Sequence, residues 1–387
     1  MRAIDRYIFR TTFGSFALIL VSLTAFIWLT QAIREIDLMT NQGQAILVFI
    51  TMTGLLIPVL VLIIAPIALV VAITYTLYRL NADSEITVVG AAGISPWRFF
   101  APFLAVALVV SILVAAISAY ISPLALRELR TWAAKLRADL VTTIIQPGRF
   151  TTIERGLTFH IRERRTNGQL LGIFIVDRRD PKEHVTFLAE RGGIIENESG
   201  TFLVLDKGSV QRVEAGQREP SIVVFDRYAF DLSRLTGGGG EGRNISARER
   251  YLWNLFTPDT DDPLYKSQQG IFRAELHDRI VAPLYPLAFA AIAYAFLGLP
   301  ATTRQSRGRS LALTVIAVAI LRFVGFGSAI LVARTSAALF ILYGSIFVSF
   351  ALSAMVITRG VSVELPAFVM NVLSAISSRI YRRPAPA

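Results

Sequence analysis

The hydrophobic positions of this chain gather into long apolar runs with one wide interruption in the middle. Crossing the hydrocarbon core of a bilayer takes about 20 consecutive apolar residues. The segments that meet this length are residues 12–33, 45–77, 99–121, 278–299, 310–332 and 336–358. They predict six transmembrane helices in a 3+3 arrangement. Gly54, Pro58 and Pro66 fall inside the long second run and indicate a bent or tilted helix.

The interruption, residues 125–275, has a different spacing of apolar positions. After a charged helical stretch, LRELRTWAAKLRADL, short alternating segments such as LTFHIRE and TFLVLD follow one another, separated by the turn signals NG, ESG, DKG and AGQ. Alternation with a period of two and regular turns are typical of an all-β sandwich or barrel. The sequence therefore predicts an α-helical membrane protein with an inserted all-β domain, divided into residues 1–124, 125–275 and 276–387.

Basic residues near the ends of the runs predict the orientation, because cytoplasmic loops of membrane proteins carry an excess of Lys and Arg. On one side lie Arg2, Arg6, Arg10, Arg79, Arg98, Arg304, Arg307, Arg309, Arg359, Arg379, Arg382 and Arg383. The short loops of the other side carry only Arg34 and Arg334. We expect both termini in the cytoplasm, the β-domain on the opposite, periplasmic side, and the first run as a retained anchor, since it lacks a small-residue cleavage site.

Composition excludes several functional classes. With 53% hydrophobic and 17% charged residues and a mean hydropathy of +0.54, the chain has the composition of a membrane protein. The net charge of +11 comes from arginines at the ends of apolar runs, which indicates topology and not nucleic-acid binding. Zero cysteines and three histidines argue against disulfides, thiol chemistry and a metal site. No GxxxxGK[ST] phosphate loop is present, so we expect no cofactor in this chain and an energy source in another protein.

Charged positions inside the runs are few, and such positions are usually functional. The middle of each run lacks Asp, Glu, His and Lys, which disfavours a proton-coupled carrier or an intramembrane protease. Arg322 is the exception, because it lies about 15–18 Å along the helix from either end of its run. It is either an anion-binding residue or a packing residue bonded to backbone carbonyls. Arg34 and Arg334, at the outer ends of runs, are either contacts for lipid head groups or interfacial anchors.

The break between the second and third runs, LNADSEITVVGAAGISP, carries the start and stop signals of a short helix. Ser84 is placed to begin the helix, and Glu85 falls in its first turn, where the helix dipole favours a carboxylate. Gly93 is placed to stop the helix and Pro96 to begin the next one.

The residues of this short helix indicate a docking element, about 84–93. Ile86 and Val89 fall on one face, beside Glu85. One interpretation is a coupling helix that docks in a groove of an ATPase, with Glu85 as its charged contact. The other is a capped helix lying on the lipid surface. Since lipid-facing helices usually carry Lys and Arg on the polar face, the acidic Asp83 and Glu85 favour a protein partner.

Several motifs along the chain resemble the LptF/LptG permease family of lipopolysaccharide exporters. The motifs are RYIFR, REIDLMTNQGQ, ADSEITVVGAAGISPWRF, IIQPGRF, FRAELHDRIVAPLYPLAFA and the basic loop between the fourth and fifth runs. They cover essentially the whole chain and occur in the order and on the side of the membrane that the family has. The forms DLMTNQGQ and NADSE favour the LptF type over the LptG type.

The resemblance implies a permease subunit of an ATP-driven exporter. Such a subunit extracts lipopolysaccharide from the outer leaflet of the bacterial inner membrane and passes it, through jellyroll-like β-domains, to a periplasmic bridge. The implied partners are a second permease in a heterodimer, a cytoplasmic ATPase dimer that consumes ATP, and a periplasmic bridge or LptC-like protein. Glu85 takes the place of the family's coupling-helix acid, with Ile86 and Val89 beside it, and Arg34 lies near basic residues that line the lipid cavity.

The chemistry of the lipid adds two expectations. An anionic lipid with several acyl chains needs cations near the outer leaflet and an apolar surface that shields its tails. Arg322 and Arg334 supply the cations with Arg34, and alternating residues of the β-domain supply the surface: Leu157, Phe159, Ile161, Phe202 and Val204 are expected on one face. These strand residues form a core in any β-sandwich, and their use by lipid follows from the resemblance alone.

Two other functions remain open from the sequence. A membrane-anchored periplasmic scaffold or binding protein would use the runs only as an anchor and the β-domain as its working part. An enzyme that modifies lipid or cell wall would need clustered acids and bases outside the membrane. The acidic residues of 125–275 are instead scattered along strands and turns, which disfavours the enzyme.

Overall fold

The computed structural model of the 387-residue chain describes residues 3–40, 46–144, 148–165, 169–180, 183–197, 200–214, 221–232, 245–298 and 304–359. It groups into two compact units. The helical unit comprises Met1–Pro123, Tyr251–Pro258 and Gln268–Ala387, and the strand unit comprises Leu124–Arg250 and Asp259–Ser267. The four glycines at 237–240, which are typical of a flexible connection, and the basic cytoplasmic tail expected from the arginines beyond 359 lie outside the described residues. The expected β-segment, 125–275, ends later than the strand unit does.

Eleven α-helices are described. They are α1 Ala3–Thr40, α2 Ile46–Gly54, α3 Ile57–Ala82, α4 Glu85–Ala91, α5 Pro96–Ala116, α6 Ser122–Ile144, α7 Leu252–Phe256, α8 Pro263–Val281, α9 Leu284–Leu297, α10 Arg304–Arg334 and α11 Leu339–Arg359. A π-helical turn, Ile117–Ile121, joins α5 to α6. Short 3-10 turns occupy Ala247–Glu249 and Ser336–Ala338.

The predicted helical membrane architecture is confirmed. Within the described ranges, five helices are long and apolar enough to cross a membrane, and a sixth crossing is the pair α8–α9 if it is counted as one broken span. The break in the second run falls where Gly54 and Pro58 indicated, because α2 ends at Gly54 and α3 starts at Ile57. The fourth span differs from the expected continuous helix: α8 and α9 meet at 47°, at Pro283, which cannot donate a backbone hydrogen bond.

The short helix α9 forms the centre of the helical unit. Its residues from Ala288 to Ala295 are all buried, and it contacts α3, α5, α10 and α11. A helix that is apolar on every side belongs inside a packed protein, and its many alanines let neighbouring backbones approach closely. Movement of α9 must therefore move its neighbours with it.

The strand unit contains one antiparallel sheet in which the strands follow chain order. Its strands are β1 Phe150–Glu154, β2 Leu157–Arg164, β3 Leu170–Asp177, β4 Glu183–Asn197, β5 Gly200–Glu214 and β6 Ser221–Asp231. This confirms the inserted all-β domain. The sequential order is that of a meander, and the jellyroll-like arrangement stays a prediction.

The sheet curls over a single apolar core. The rings of Phe159 in β2 and Phe230 in β6 lie 6.0 Å apart, although three strands separate them in the sheet. Phe187 of β4 lies 5.2 Å from Phe230 between them. Strands that are distant in the sheet meet only if the sheet bends round, so the inner face is closed on itself.

The expected inner face is correct for β2 and wrong for β5. Leu157, Phe159 and Ile161 are at most 1% exposed. In β5 the core residues are Leu203 and Leu205, both 0% exposed, and Phe202 and Val204 lie on the other side. The segment TFLVLD is apolar at four successive positions, so alternation alone did not identify its inward face.

Within the strand unit, two arginines of helix α6 bind the segment that follows the sheet. Arg127 Nε donates to the Glu249 carbonyl oxygen at 2.6 Å, and Arg130 pairs with the Glu249 carboxylate at 3.0 Å. Arg250 in turn pairs with Asp262, which also accepts a hydrogen bond from the Leu264 amide at 2.8 Å. Burial raises the pKa of Asp262, but the hydrogen bonds from Leu264 and Arg250 outweigh it and hold that pKa below its ordinary value.

Candidate functional site

Helix α4 begins and ends through backbone turns. Ser84 precedes it with φ 58° and ψ 13°, a left-handed conformation, and its side chain makes no capping hydrogen bond. Ser84 therefore marks the start, as predicted, by its backbone and not by its hydroxyl. Gly93 follows the helix at φ +73°, a conformation that glycine adopts without strain. Ser95 then caps α5 by accepting a hydrogen bond from the Arg98 amide.

The two sides of α4 have different surroundings. Ile86 is only 4% exposed and belongs to the core of the helical unit, and Val89 packs partly against that core. Val88 is 66% exposed, and Glu85 is half-buried. The expected contact of Ile86 with a partner stays a prediction. Ile86 anchors the helix, while Glu85 and Val88 present the accessible surface.

Tyr294 ties the segment after α4 to the central helix α9. Its hydroxyl donates to the Pro96 carbonyl oxygen at 2.7 Å. Its ring centre lies 4.8 Å from that of Phe100, 6.1 Å from that of Phe99 and 6.0 Å from that of Phe103. These separations lie in the range that aromatic pairs prefer. Because Pro96 is the first residue of α5, this hydrogen bond joins the segment that follows α4 to α9.

Arg322 lies inside α10 and packs on two aromatic rings. Its guanidinium carbon is 4.7 Å from the centre of the Tyr285 ring on α9 and 4.1 Å from that of Phe326. Cation–π contact of this kind offsets part of the cost of a charge in apolar surroundings. A guanidinium has five N–H donors, so these ring contacts leave donors that can bind an anion or a backbone carbonyl. The arrangement fits both interpretations of Arg322, as a packing residue and as an anion-binding residue.

Two of the three arginines expected to bind lipid, Arg322 and Arg334, have described side chains, and both belong to α10. Arg334 is exposed at the end of α10, about 18 Å along that helix from Arg322. Arg34 belongs to α1, and its side chain lies outside the described part. The structure therefore places a half-buried arginine in the middle of α10 and an exposed one at its end.

Gly325 allows α10 to approach α9 beside Arg322. A Cβ atom built at Gly325 would overlap the hydroxyl of Tyr285, a residue that is 1% exposed. A side chain at this position would therefore push apart the two helices that hold the guanidinium.

Gly325→Ala is expected to destabilise the protein by about 1–3 kcal/mol because it overpacks this contact. Adding Tyr285→Phe, which removes the overlapping hydroxyl, should restore part of the loss, since the ring carbon Cζ still lies 2.9 Å from the added Cβ. Thermal unfolding in detergent measures both effects. Gly327→Ala is the matched control, since nothing lies within 4 Å of its added Cβ. Wild-type stability of Gly325→Ala, or no recovery in the double variant, would contradict the close contact.

A group of charged residues on α8 was not singled out from the sequence. Arg279 is 6% exposed and pairs with Glu275 at 2.8 Å, one turn earlier on the same helix. Arg273 donates to the Val332 carbonyl oxygen at 2.8 and 3.2 Å, near the end of α10, where carbonyls lack helical partners. The sequence signal was an acid and a base at i,i+4 spacing where the fourth run begins.

The same helix makes a further polar contact with α11. His277 Nδ1 and the Tyr343 hydroxyl are 2.8 Å apart. Gly270 also approaches α10, since a Cβ there would overlap the Ala333 carbonyl oxygen. Polar contacts and close backbone approach thus join α8, α10 and α11 at one end of the helical unit.

The strand unit has an accessible edge and a shallow cleft. In the described sheet β6 pairs with β5 alone, and its consecutive Ile222, Val223 and Val224 are 58%, 59% and 81% exposed. A cleft of about 770 Å³ lies beside Val224 and includes the charged residues Arg162 and Glu190. An apolar strand with an open edge is a template for pairing with another strand.

The chain matches a known protein family over most of its length. The family model described as "Lipopolysaccharide export system permease LptF/LptG" matches residues 6–359. The chain is also similar to "Uncharacterized protein RP871" of Rickettsia prowazekii (strain Madrid E), with 26% identity over 325 residues, which are 82% of this chain and 89% of that protein. The family match includes α4, the inserted sheet and Arg322.

Proposed function

Since the chain belongs to the LptF/LptG family of lipopolysaccharide export system permeases, we propose that it is the LptF-type subunit of an ATP-driven exporter. In this role it extracts lipopolysaccharide from the outer leaflet of the bacterial inner membrane and passes it to a periplasmic bridge. The subunit is a permease and not an enzyme, and ATP is hydrolysed by a separate ATPase dimer.

The observation that carries the ATP-driven part is the two-sided burial of α4. Ile86 fixes the helix to the helical core, while Glu85 and Val88 remain accessible. A docking helix needs a buried side and an exposed side. The exposed side binds the partner, and the buried side keeps the helix attached to the membrane domain when the partner moves. On this proposal α4 lies on the cytoplasmic side and docks in a groove of the ATPase, with both chain termini on the same side.

A chain of contacts leads from α4 to Arg322. Tyr294 is bonded to Pro96 at one end of α9, and Tyr285 packs on Arg322 near the other. Nine residues of helix separate the two tyrosines, about 14 Å. Because α9 is buried on every side, it moves only with its neighbours, and the bend at Pro283 supplies the hinge. ATP-driven displacement of α4 then alters the surroundings of Arg322.

The lipid is recognised through its charge and its tails. Arg322, with Arg34 and Arg334, supplies the guanidinium groups that pair with phosphates on the lipid. The curled sheet, on the periplasmic side, supplies an apolar inner face for the acyl chains. That face is filled by its own side chains, including Leu157 and Leu203 at 0% exposure. Passage of a lipid tail therefore requires the curled sheet to open.

Two exposed surfaces fit the remaining partners. Much of the apolar surface of α1 is exposed, with Leu18 70% and Phe26 69% exposed, so this helix is available to pack on a second permease of the same family. The open edge of β6, with Val224 outermost, fits a strand of the periplasmic bridge or of an LptC-like protein.

Reconstitution tests the proposed function against a passive scaffold. Vesicles that hold this chain, its partner permease, the ATPase dimer and lipopolysaccharide are mixed with purified bridge protein. Transfer of lipopolysaccharide to the bridge is expected with ATP and absent with a non-hydrolysable analogue. Capture of the bridge with no ATP-dependent transfer would identify a membrane-anchored scaffold and overturn the exporter.

A further inference from the structure

Three aromatic side chains stack on one another where α5 ends and α7 begins. Tyr120 and Tyr251 are 5.3 Å apart with ring planes 17° from parallel, and Tyr251 and Trp253 are 4.6 Å apart at 15°. Tyr120 and Trp253 also lie within 6.2 Å. These separations are those of favourable offset stacking. All three residues belong to the helical unit, and we call them the aromatic clasp.

The clasp joins two positions that are distant in the chain. Tyr120 lies in the π-helical turn Ile117–Ile121, just before the chain leaves the helical unit at Pro123. Tyr251 is the first residue after the chain returns. The clasp therefore holds together the exit point and the return point of the inserted strand unit. A π-helical turn at such a position is frequently associated with function.

The clasp is only partly covered by the protein. Trp253 is 52% exposed, Phe256 58% and Tyr120 49%, while Leu255 of the same short helix is 3% exposed. Helix α7 thus has a buried side and an aromatic outer side. Large aromatic residues are left exposed together mainly where another surface receives them.

The position of the clasp along α5 indicates what that surface is. Trp97, which is 44% exposed, lies at the start of α5, and Tyr120 follows it about 35 Å further along the helix. The hydrocarbon core of a bilayer is about 30 Å thick. Trp and Tyr concentrate at both boundaries of that core, because their rings are apolar and their N–H and O–H groups are polar. Two aromatic positions at this separation fit the two boundaries.

We propose that the aromatic clasp, with Phe256, is a membrane-interface anchor that lies in the lipid headgroup layer opposite α4. It binds the boundary between headgroups and acyl chains, and it fixes the depth at which the chain leaves and re-enters the helical bundle. The anchor concerns phospholipid of the surrounding bilayer and holds whether or not lipopolysaccharide is the transported molecule.

Depth-dependent fluorescence quenching tests the anchor. The chain has four tryptophans, so Trp28→Phe, Trp97→Phe and Trp132→Phe together leave Trp253 as the sole reporter. The variant is reconstituted in phosphatidylcholine vesicles brominated either near the headgroup or near the bilayer centre. Quenching about twofold stronger with the headgroup-proximal bromines is expected for a ring at the interface. The control adds Trp253→Phe and Val224→Trp, which moves the reporter to the exposed edge strand, where neither lipid should quench it.

Two results would overturn the anchor. Quenching by neither lipid, together with protection from aqueous acrylamide, would mean that another protein surface covers the clasp. Quenching by acrylamide alone would mean that it lies in water.

A second measurement does not depend on removing tryptophans. Because the chain has no cysteine, Phe256→Cys gives a single site for a nitroxide spin label at a position that is already 58% exposed. A label in the headgroup layer should be accessible to oxygen and to a water-soluble nickel chelate to comparable extents. A label reached only by the chelate would contradict the anchor.

Discussion

Glu85→Arg is expected to remove the ATPase from the complex purified from native membranes and to abolish ATP hydrolysis by the remaining preparation. Glu85 is the half-buried acidic residue at the start of α4, on an accessible surface that Val88 shares. Reversal of a charge in a docked interface costs about 2–5 kcal/mol, which corresponds to at least about 30-fold weaker binding. Co-purification and ATP turnover, compared with the wild type, measure the loss.

Asp261→Arg is the matched control for Glu85→Arg, since it makes the same change at a side chain that is 93% exposed in the strand unit. It should leave ATPase recovery unchanged. If the wild type and Glu85→Arg retain equal amounts of ATPase and hydrolyse ATP equally, α4 does not dock on the ATPase. If neither the wild type nor Glu85→Arg carries an ATPase, α4 lies on the lipid surface, and the β-domain is the part of the protein that carries the function.

Arg322→Leu is expected to lower ATP-dependent lipopolysaccharide transfer by about tenfold or more, because a charge-assisted hydrogen bond contributes about 1.5–3 kcal/mol. Leucine keeps the apolar packing against Tyr285 and Phe326 while it removes the charge. Arg322→Lys keeps the charge but loses the planar face that stacks on the rings, so it should recover transfer only in part. Transfer is measured in the reconstituted system, with photo-crosslinking of lipopolysaccharide as the readout of binding.

Arg334→Leu is the comparison for Arg322→Leu, and a smaller loss is expected because Arg334 is exposed at the end of α10. An exposed charge is screened by solvent and its interactions are correspondingly weaker. A packing role for Arg322 predicts a different pattern, with lower thermal stability and unchanged lipid crosslinking. That pattern would remove Arg322 from the lipid site.

The sequence predicted those parts of the fold that depend on the backbone preferences of single residues. The end of α4 follows from Gly93, which adopts the left-handed conformation without strain, and from Pro96, which fixes φ where α5 begins. The division of the second run follows from Gly54 and Pro58 in the same way. The inward side of β5 could not be predicted, because a segment that is apolar at successive positions has no alternation to interpret.

The contacts of the candidate site depend on residues that are far apart in the chain. Tyr294 and Pro96 are separated by 198 positions, and the residues around either one give no indication that the two are in contact. The overlap between Gly325 and Tyr285 likewise exists only once α9 and α10 are packed. Arg322 was identifiable from its depth in an apolar run, whereas the aromatic rings that hold it were not. Burial of Ile86 also required the packed bundle, since its spacing alone placed it beside Glu85.

The bend between α8 and α9 shapes how the chain enters the membrane during synthesis. Helix α9 has 14 residues, about 21 Å of helix, which is shorter than the hydrocarbon core of about 30 Å. The last turns of α8 must complete the crossing, and they carry Arg279 and Glu275. The same turns also carry Asp278. Because Arg279 and Glu275 are paired, their two charges cancel as the segment enters the lipid, and the pairing belongs to insertion as well as to the finished fold.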